Sequence, residues 1–357
     1  MRVALVCDWF LKYTAPLAAA LARGGADVTL LCRDHAREFG GSYEERAETL
    51  ERAADAGVRV LTLTGNVGSP PALRRAAGTL QLLRLGQPEV VHAQVNADPR
   101  LLGAARGLPT VLTVHDPVPH PGDYVSPFHR RLVHRAWLRR ADRIIVHGAA
   151  LRDELAARVD RARIAVVPHG TSVQDAPDPP PPERRLLVFG RLKAYKGLPT
   201  LARAMETVWA ARPEVRLAAL GQGDAAAALP DDARVERDPR FVPERDVVVA
   251  LRRSSLVMLP YDQASQSGVG LLAMGHGVPT IVTRVGALPE LAVDDSLVVP
   301  PGDPAALASA ILGHLDHGEE LRRRVLEHAR RNFSWEVAAE HSLRVYQEAV
   351  AARRSSR

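Results

Sequence analysis

Short apolar runs alternate with helical patterns along the first half of the chain. The runs are rich in Val, Ile and Leu and lie at residues 3–7, 28–32, 58–63, 90–92, 110–114 and 144–147. Helical patterns, such as those at residues 16–23 and 43–56, lie between them. Apolar strands separated by helices are typical of parallel sheets covered by helices on both faces. The pattern therefore predicts an α/β fold with a doubly wound parallel sheet.

A proline-dense segment divides the chain. Residues 175–185 read DAPDPPPPERR and can join neither a helix nor a central strand. The apolar runs then restart at residues 186–189, 215–220, 256–260, 280–283 and 297–299. The length of 357 residues also suits two domains. We predict an N-terminal domain over 1–174, a linker over 175–185, a second domain over 186–331 and a final helical segment over 332–357.

The two halves share one local pattern. GLPT at residues 107–110 and GVPT at residues 277–280 both lead into a predicted strand. A Gly can end a helix and a Pro prevents its continuation, so both segments have a common local cause. We expect two similar doubly wound domains. In such sheets ligands bind beyond the carboxyl ends of the strands, so residues directly after each strand are the candidates for function.

The first candidate site follows the first strand of the second domain. Gly190 and Arg191 come directly after that strand, and Lys196 and Gly197 precede a helix. Arg matches two phosphate oxygens, Lys adds a point charge and a helix N-terminus adds free N–H groups. Together these groups could hold a diphosphate without a metal ion. The alternative is a surface turn that happens to carry two cations.

The second candidate site follows another predicted strand of that domain. Ser265, Gln266, Ser267 and Gly268 stand where a helix N-cap is expected, and the glycine lets a ligand approach the backbone. This segment predicts a second anion site on the same sheet edge, and ordinary capping is the alternative. A third segment, ALGQGDA at residues 219–225, lacks a full G-x-G-x-x-G pattern and predicts a turn.

His115 and Asp116 follow the predicted strand at residues 110–114 of the first domain. A lone histidine is more often structural than functional. Residues at this edge of a doubly wound sheet, however, face the place where ligands bind. We therefore expect His115 to project across the cleft between the domains towards the two candidate anion sites.

Charge and composition narrow the classes of function. The net charge of +6 could suit nucleic acid, an anionic membrane or a phosphorylated substrate. Aromatic residues make up only 4%, and no nucleic-acid-binding motif is found, so we expect no nucleic-acid partner. Phe128, Leu132, Arg135 and Arg139 lie at helical spacing in an arginine-rich stretch. Peripheral contact with an anionic membrane surface is therefore open, against a plain surface helix.

The sequence also bears on location and cofactors. No apolar run approaches the roughly 20 residues of a membrane-spanning helix, and the N-terminus lacks a signal-peptide pattern. We therefore expect a cytoplasmic protein, with peripheral attachment to the inner membrane face as the alternative. Cys7 and Cys32 lie in apolar runs, so buried thiols are expected rather than a disulfide. Neither a cofactor nor a metal site is predicted.

These segments together resemble the retaining GT-B glycosyltransferases of family 4, and the resemblance covers nearly the whole chain. It rests on the order and spacing of the following segments: VVHAQ (90–94), VLTVHD (111–116), RRADRIIVHGAALRDEL (139–155), VVPHG (166–170), FGRLKAYKGL (189–198), RFVPERD (240–246), SQSGVGLLAMGHGVP (265–279), VGALPEL (285–291) and FSWEVAAEHSLRVY (333–346).

The resemblance implies two Rossmann-like domains that face each other across a cleft, a nucleotide-sugar donor and a sugar-containing acceptor. Arg191 and Lys196 would bind the donor diphosphate, and the backbone near Phe241 and Val242 would contact the base. His115 would approach the transferred sugar. The final helix would cross back and pack on the first domain.

The sequence departs from the family pattern at two positions of the donor site. The family typically has two glutamates separated by seven residues, which align here with Ala264 and Leu272. One branch instead has Ser/Thr-Gln-Ser-Gly-Val, as residues 265–269 do here. Sugar and ribose contacts would then come from nearby side chains or from the backbone. The candidate donor-binding residues are Gly190, Phe241, Val242, Asp262, Ser265, Gln266, Ser267, Gly268 and Val269.

A second departure lies in the N-terminal loop. CDWFLKYTAPL at residues 7–17 replaces the family's usual glycine-rich turn. Lys12, Tyr13 and Thr14 are therefore candidates to face the diphosphate or the acceptor, together with Asp116. The alternative is a solvent-facing loop.

The resulting hypothesis is sugar transfer with retention of anomeric configuration, in which the leaving diphosphate takes the proton of the acceptor hydroxyl. It agrees with the lack of a carboxylate pair of the kind that a retaining glycosidase needs. Three alternatives remain open: a GT-B nucleotide-sugar epimerase, a non-catalytic nucleotide-sugar-binding subunit and a nucleic-acid binder. The sequence leaves the donor, the acceptor and the oligomeric state open.

Overall fold

The structure, a computed structural model, describes residues 1–65, 69–94, 98–117, 128–179, 181 and 183–355. These residues divide into two compact units. The first comprises residues 1–65, 69–94, 98–117, 128–170 and 335–355, and the second comprises residues 171–179, 181 and 183–334. Each unit is described by itself below.

Each unit is built on one parallel sheet. The described strands are β1 (Arg2–Cys7), β2 (Asp27–Arg33), β3 (Arg59–Leu63), β4 (Val90–Gln94), β5 (Thr110–Thr113), β6 (Arg143–Val146) and β7 (Ile164–Val166) in the first unit, and β8 (Arg185–Phe189), β9 (Arg216–Leu220), β10 (Val235–Asp238), β11 (Leu256–Leu259), β12 (Thr280–Thr283) and β13 (Val298–Val299) in the second. The predicted doubly wound α/β architecture is confirmed.

Helices follow the strands in both units. The described helices are α1 (Leu11–Arg23), α2 (Tyr43–Asp55), α3 (Pro70–Leu85), α4 (Phe128–Arg140), α5 (Ala149–Ala156), α6 (Leu198–Ala211), α7 (Glu244–Arg252), α8 (Gly268–Gly275), α9 (Pro304–His314), α10 (Glu319–Phe333) and α11 (Trp335–Ser355). Local sequence explains several helix starts. Ser42 caps α2 by accepting a hydrogen bond from Glu45 N, and Asp303 caps α9 in the same way through Ala306 N.

The order of the strands fixes where each sheet can bind a ligand. The first sheet runs β3-β2-β1-β4-β5-β6-β7, and the second runs β10-β9-β8-β11-β12-β13. The chain therefore reverses its direction of winding between β1 and β4 in the first unit and between β8 and β11 in the second. Loops that leave two such strands turn to opposite sides and open a crevice at their carboxyl ends.

The core of the first unit includes the last helix of the chain. Trp335 and Tyr346 of α11 are buried together with Leu17 and Leu21 of α1 and with residues of the first sheet. Helix α11 therefore belongs to the first unit. Cys7 and Cys32 pair in register on β1 and β2, and both thiols are buried.

The boundary between the units differs slightly from the predicted one. Thr171 N donates to Phe333 O over 2.6 Å, and Gln174 N donates to Gly275 O over 2.9 Å. Residues 171–174, which the sequence placed in the first domain, are therefore part of the second unit. The linker also ends one residue earlier than predicted, because Arg185 is already the first residue of β8.

Candidate functional site

Glycines tie together the loops that leave the second sheet. Gly190, directly after β8, has φ 101°, and its N–H donates to Leu220 O over 2.9 Å. A Cβ on Gly221, after β9, would lie 2.0 Å from Gly190 O. This contact is far too short for any side chain, so the two loops approach by their backbones. The first candidate site thus stands on a rigid turn.

The second candidate site lies against the first. Ser267 is the N-cap of α8, and its Oγ accepts a hydrogen bond from Gly270 N over 3.3 Å. A Cβ built on Gly190 would lie 3.1 Å from Cγ2 of Val269, in the first turn of α8. The loops after β8 and β11 therefore meet at the point where the winding reverses. The two segments lie at one edge of the sheet, and anion binding there stays a prediction.

Lys196 lies at this junction but is buried. Its side chain is 6% exposed, and Nζ is hydrogen-bonded to the Tyr261 hydroxyl. Nζ also lies 3.8 Å from the ring centroid of Tyr261 and 5.3 Å from that of Tyr195. Burial, and to a lesser extent the charge of Arg191, lowers the pKa of Lys196 to about 7. The lysine can therefore change its charge near neutral pH.

Arg191 follows β8 and Asp262 follows β11, and both residues are exposed. Asp262 N donates to Tyr195 O over 2.9 Å, which joins the loop after β11 to the turn that carries Lys196. Partial burial raises the pKa of the Asp262 carboxyl. Arg191, Lys196 and the N-terminus of α8 thus all belong to the segments that follow β8 and β11, which are neighbours in the sheet.

Fewer contacts define the positions of the remaining donor-site candidates. Phe241 and Val242 are half-buried between β10 and α7. Ser265 is buried and its carbonyl oxygen accepts from Ala287 N over 3.0 Å, while Gln266 is half-buried and Gly268 is exposed. Which of these residues touch a base or a sugar stays a prediction.

The two positions that align with the family glutamates are also in the second unit. Leu272 packs against the core through α8, and Ala264 is half-buried. A Cβ on Gly286 would lie 1.9 Å from Ala264 O, so the backbone of the loop after β12 contacts the backbone at Ala264 directly.

His115 follows β5 in the first unit, and its ring is 6% exposed. Nε2 lies 2.9 Å from Gln94 Oε1, and Nδ1 lies 3.1 Å from His147 Nε2. The ring also stacks on Phe10 with 3.9 Å between centroids. Both nitrogens are thus bonded within the first unit. Contact with a donor sugar would require that one of these hydrogen bonds be exchanged.

The proton positions in this network are linked. His147 Nδ1 donates to Val167 O over 3.0 Å. If the Gln94 oxygen faces His115, then His115 carries its proton on Nε2, and His147 must be protonated on both nitrogens. Burial lowers the pKa of His147 to about 4, so the ring is neutral at pH 7. The neutral network therefore requires Gln94 to turn its NH₂ group towards His115.

The N-terminal loop differs from its prediction. Helix α1 begins at Leu11 rather than near Pro16, so Tyr13 and Thr14 lie on a buried helix face and are 3% and 0% exposed. These two residues therefore form neither a ligand-facing loop nor a solvent-facing one. The half-buried Lys12 places Nζ 4.9 Å from the Phe39 ring centroid, and Asp116 is exposed.

The start of α1 already holds a carboxyl group. Leu11 N donates to Glu38 Oε2 over 2.7 Å, and the backbone of Phe10 and Lys12 adds hydrogen bonds to the same carboxylate. Phe10 itself has φ 65°, a strained conformation for a bulky residue. The glycine-rich turn of the family is thus replaced by a strained aromatic residue and an internal carboxylate.

Sequence reasoning missed three residues that the structure brings to these places. His147 follows directly after β6, and Tyr261 is the second residue after β11, so a position just after a strand could have identified both. Phe10 carries no such signal, because its importance depends on a backbone conformation and on a ring stack.

The arginine-rich helix α4 is exposed at Leu132, Arg135 and Arg139. The side chain of Phe128 lies outside the described residues. Within the described part of the chain, no helix is both long and apolar enough to cross a membrane. Membrane contact through α4 stays a prediction.

Family comparisons match both parts of the chain. Residues 11–170 match the glycosyl transferase 4-like domain, and residues 183–317 match the glycosyl transferases group 1 domain. The first match ends at Gly170, the last residue of the first unit before α11.

Named relatives have similar sequences. D-inositol 3-phosphate glycosyltransferase of Acidothermus cellulolyticus is 27% identical and is aligned over 96% of this chain and 86% of its own length. The protein of the same name from Corynebacterium kroppenstedtii is also 27% identical, over 64% of this chain. The chain spans only 58% of the length of that relative.

Solved structures share the fold. Sucrose-phosphate synthase from Thermosynechococcus elongatus has a TM-score of 0.70 at 21% identity, with 99% of this chain and 100% of that chain covered. Anabaena HepE in complex with UDP-glucose has a TM-score of 0.66 at 18% identity, with both chains fully covered. The prediction of a GT-B fold is confirmed.

Proposed function

We propose, since the chain combines the two domains of a GT-B glycosyltransferase of family 4, that it transfers a sugar from a nucleotide-sugar donor to an acceptor hydroxyl with retention of anomeric configuration. The observation that carries the proposal is the meeting of the two anion-binding segments at the β8/β11 edge, where Gly190 approaches Val269. An Arg, a Lys and a helix N-terminus there can neutralise a diphosphate.

The proposed reaction exchanges one bond at the anomeric carbon for another. The bond between the anomeric carbon and the diphosphate oxygen breaks, and a bond to the acceptor oxygen forms on the same face. The acceptor proton passes to the departing diphosphate. Arg191, Lys196 and the N-terminus of α8 stabilise the negative charge that grows on the leaving group. Because these groups meet that charge, we expect activity to survive removal of divalent metal ions by a chelator.

His115 has a proposed role at the transferred sugar. Its ring is neutral, since burial and the neighbouring histidines hold its pKa well below the ordinary value. A neutral imidazole can donate one hydrogen bond to a sugar hydroxyl without adding charge to the site. Gln94 and His147 would set which nitrogen carries that proton.

Donor identity and stereochemistry are tested together. Calorimetric titration with UDP-, GDP- and ADP-sugars identifies the donor, and the anomeric coupling constant of the product, measured by NMR, reports retention or inversion. D-inositol 3-phosphate is the first acceptor to test, because relatives are named D-inositol 3-phosphate glycosyltransferase. An inverted product would contradict the mechanism, and failure to bind any nucleotide sugar would contradict the function.

A second candidate is a nucleotide-sugar-binding subunit without catalysis. The specific observation in its favour is that Ala264 and Leu272 stand where the family has glutamates. Slow hydrolysis of the bound donor in the absence of acceptor separates the two candidates, because only the enzyme should release free sugar. Chromatography measures the free sugar that is released, and the Arg191→Ala variant is the control for contaminating hydrolases.

A further inference from the structure

Trp9 is the exposed tryptophan of the chain. It is 42% exposed, whereas Trp137, Trp209 and Trp335 are at most 8% exposed. Tryptophan is highly buried on average, because its ring is large and mostly apolar. A single exposed apolar residue does not by itself mark a binding site. The position of Trp9 and the contacts around it are therefore what decide its role.

Trp9 lies where the first sheet can bind a ligand. It is the second residue after β1, and the sheet reverses its direction of winding between β1 and β4. Asp98 N donates to Asp8 Oδ2 over 2.8 Å, which joins the end of β1 to the segment after β4. Trp9 therefore belongs to the crevice at the carboxyl ends of these strands.

The backbone is held on both sides of Trp9. The residue before it, Asp8, accepts a hydrogen bond on its carbonyl oxygen from His35 Nε2 over 2.7 Å. The residue after it, Phe10, has φ 65°, and its carbonyl oxygen accepts from Thr14 N over 2.8 Å. Strained backbone that the surroundings fix in this way is concentrated at ligand-binding sites. The position of the Trp9 ring is thus set before any ligand arrives.

Trp9 and Phe10 direct their rings to different sides of β1. The Trp9 ring lies beside His35, which follows β2, with 5.8 Å between centroids. The Phe10 ring stacks on His115, which follows β5, with 3.9 Å between centroids. In the sheet β5 is two strands away from β1, which is roughly 10 Å. A ring bound on Trp9 would therefore be separate from a sugar held at His115.

The arginines at this edge are already paired with carboxylates. Arg33, at the end of β2, and Arg100, after β4, both contact Asp98 Oδ2, over 3.4 Å and 2.7 Å. Arg46 lies 3.6 Å from Asp34 Oδ1. A phosphate group would have to compete with these carboxylates, so the contact at Trp9 favours an uncharged part of a ligand.

We propose that Trp9 stacks on a sugar or cyclitol ring of the acceptor, while the transferred sugar lies at His115. The inference rests on the proposed function. The C–H groups on one face of such a ring are weakly positive, and they pack against the negative face of the indole. Stacking also removes apolar surface of both rings from water. The hydroxyl groups at the edge of the acceptor ring are left uncovered, so one of them can accept the transferred sugar.

Quenching of tryptophan fluorescence by acrylamide tests this contact. Because the other three tryptophans are buried, Trp9 should provide most of the emission that acrylamide quenches, and Trp9→Phe should remove that part. The probes are myo-inositol, methyl α-glucoside, methyl α-mannoside and D-inositol 3-phosphate, each with and without UDP, GDP or ADP. At least one probe should protect the native protein from quenching in a saturable way.

Variants measure what the ring contributes. For the protecting probe, Trp9→Ala should raise the Kd measured by calorimetry at least about tenfold, because the stacked contact and its buried area are lost. Trp9→Phe keeps a smaller aromatic face and should lose less. Leu85→Ala is the matched control, since Leu85 is 70% exposed but ends α3 at the opposite edge of the same sheet. Its Kd should equal that of the native protein.

The outcomes separate the inference from the function. Lack of protection by every probe overturns the inference, and so does a protecting probe that Trp9→Ala binds as tightly as the native protein. Melting curves check that each variant is folded, and if Trp9→Ala is not, protection of the native protein and the Kd of Trp9→Phe decide. A protein that binds a nucleotide but shows no protection keeps the proposed function and loses this inference. A protein that binds none of the three nucleotides loses both.

Discussion

Lys196 should make donor binding depend on pH, because its ammonium group is buried and has a pKa of about 7. A bound diphosphate places negative charge beside Nζ and raises that pKa again. The complex then holds one more proton than the free protein at pH values above 7. Binding must therefore weaken as the pH rises, until the pKa of the bound state is reached.

The size of the effect follows from the fraction of charged lysine. A group with a pKa of about 7 is roughly 25% charged at pH 7.5 and roughly 1% charged at pH 9. The Kd for a nucleoside diphosphate should therefore rise about twentyfold over this range. Phosphate titrates near pH 6 and adds little to the change above pH 7.5.

Calorimetry at pH 7.5, 8.0, 8.5 and 9.0 measures the slope, and buffers of different ionisation enthalpy count the protons taken up. Lys196→Met is the control, since it should bind weakly with a Kd that does not change over the same range. A native Kd that stays constant, or an equal slope in Lys196→Met, would refute a titrating lysine at the diphosphate.

The same pKa makes an independent prediction for stability without ligand. Between pH 7 and about 10.5 the unfolded lysine is charged while the folded lysine is neutral. The unfolded state then binds more protons, so the free energy of unfolding should rise with pH relative to Lys196→Met. Chemical denaturation of the two proteins at pH 7 and pH 9 measures this difference.

Three further predictions concern single residues. Arg191→Ala should weaken nucleoside-diphosphate binding by about 10- to 150-fold, the usual range for a lost charged hydrogen bond, as measured by calorimetry; an unchanged Kd would contradict the assignment. His115→Ala should lower the turnover of the folded fraction by about 10²-fold while diphosphate affinity stays within a few-fold; a destabilised variant with full turnover would make the ring purely structural. Burial raises the pKa of Glu38 to about 7, so stability should fall as the pH rises from 4.5 through 7. Glu38→Gln should lose this dependence in denaturation curves, and an equal slope in both proteins would contradict it.

The strands were the most predictable part of the fold, since a strand buried on both faces must be apolar along its length. Residues 280–283 match β12 at both ends, and residues 3–7 miss only one residue of β1. The start of α1 was not predictable in this way. Pro16 lies inside that helix, and a proline is more often found in a first turn, so the pattern suggested a later start.

The candidate site was predictable where it depends on the ends of strands. Gly190, Arg191 and Ser267 follow strands of one sheet, and the topology brings them together. Burial was not predictable, because it depends on residues far away in the sequence. The ring of Phe10 covers His115, and the rings of Tyr195 and Tyr261 enclose Lys196.

The position of α11 has a consequence for how the protein is made. The first unit takes Trp335 and Tyr346 from this helix into its core, whereas the second unit is complete by Ser334. During synthesis the ribosome releases every residue of the second unit before it releases α11. The unit that begins the chain is therefore the last to be finished. Until then, the surface that α11 will cover stays open to chaperones and proteases.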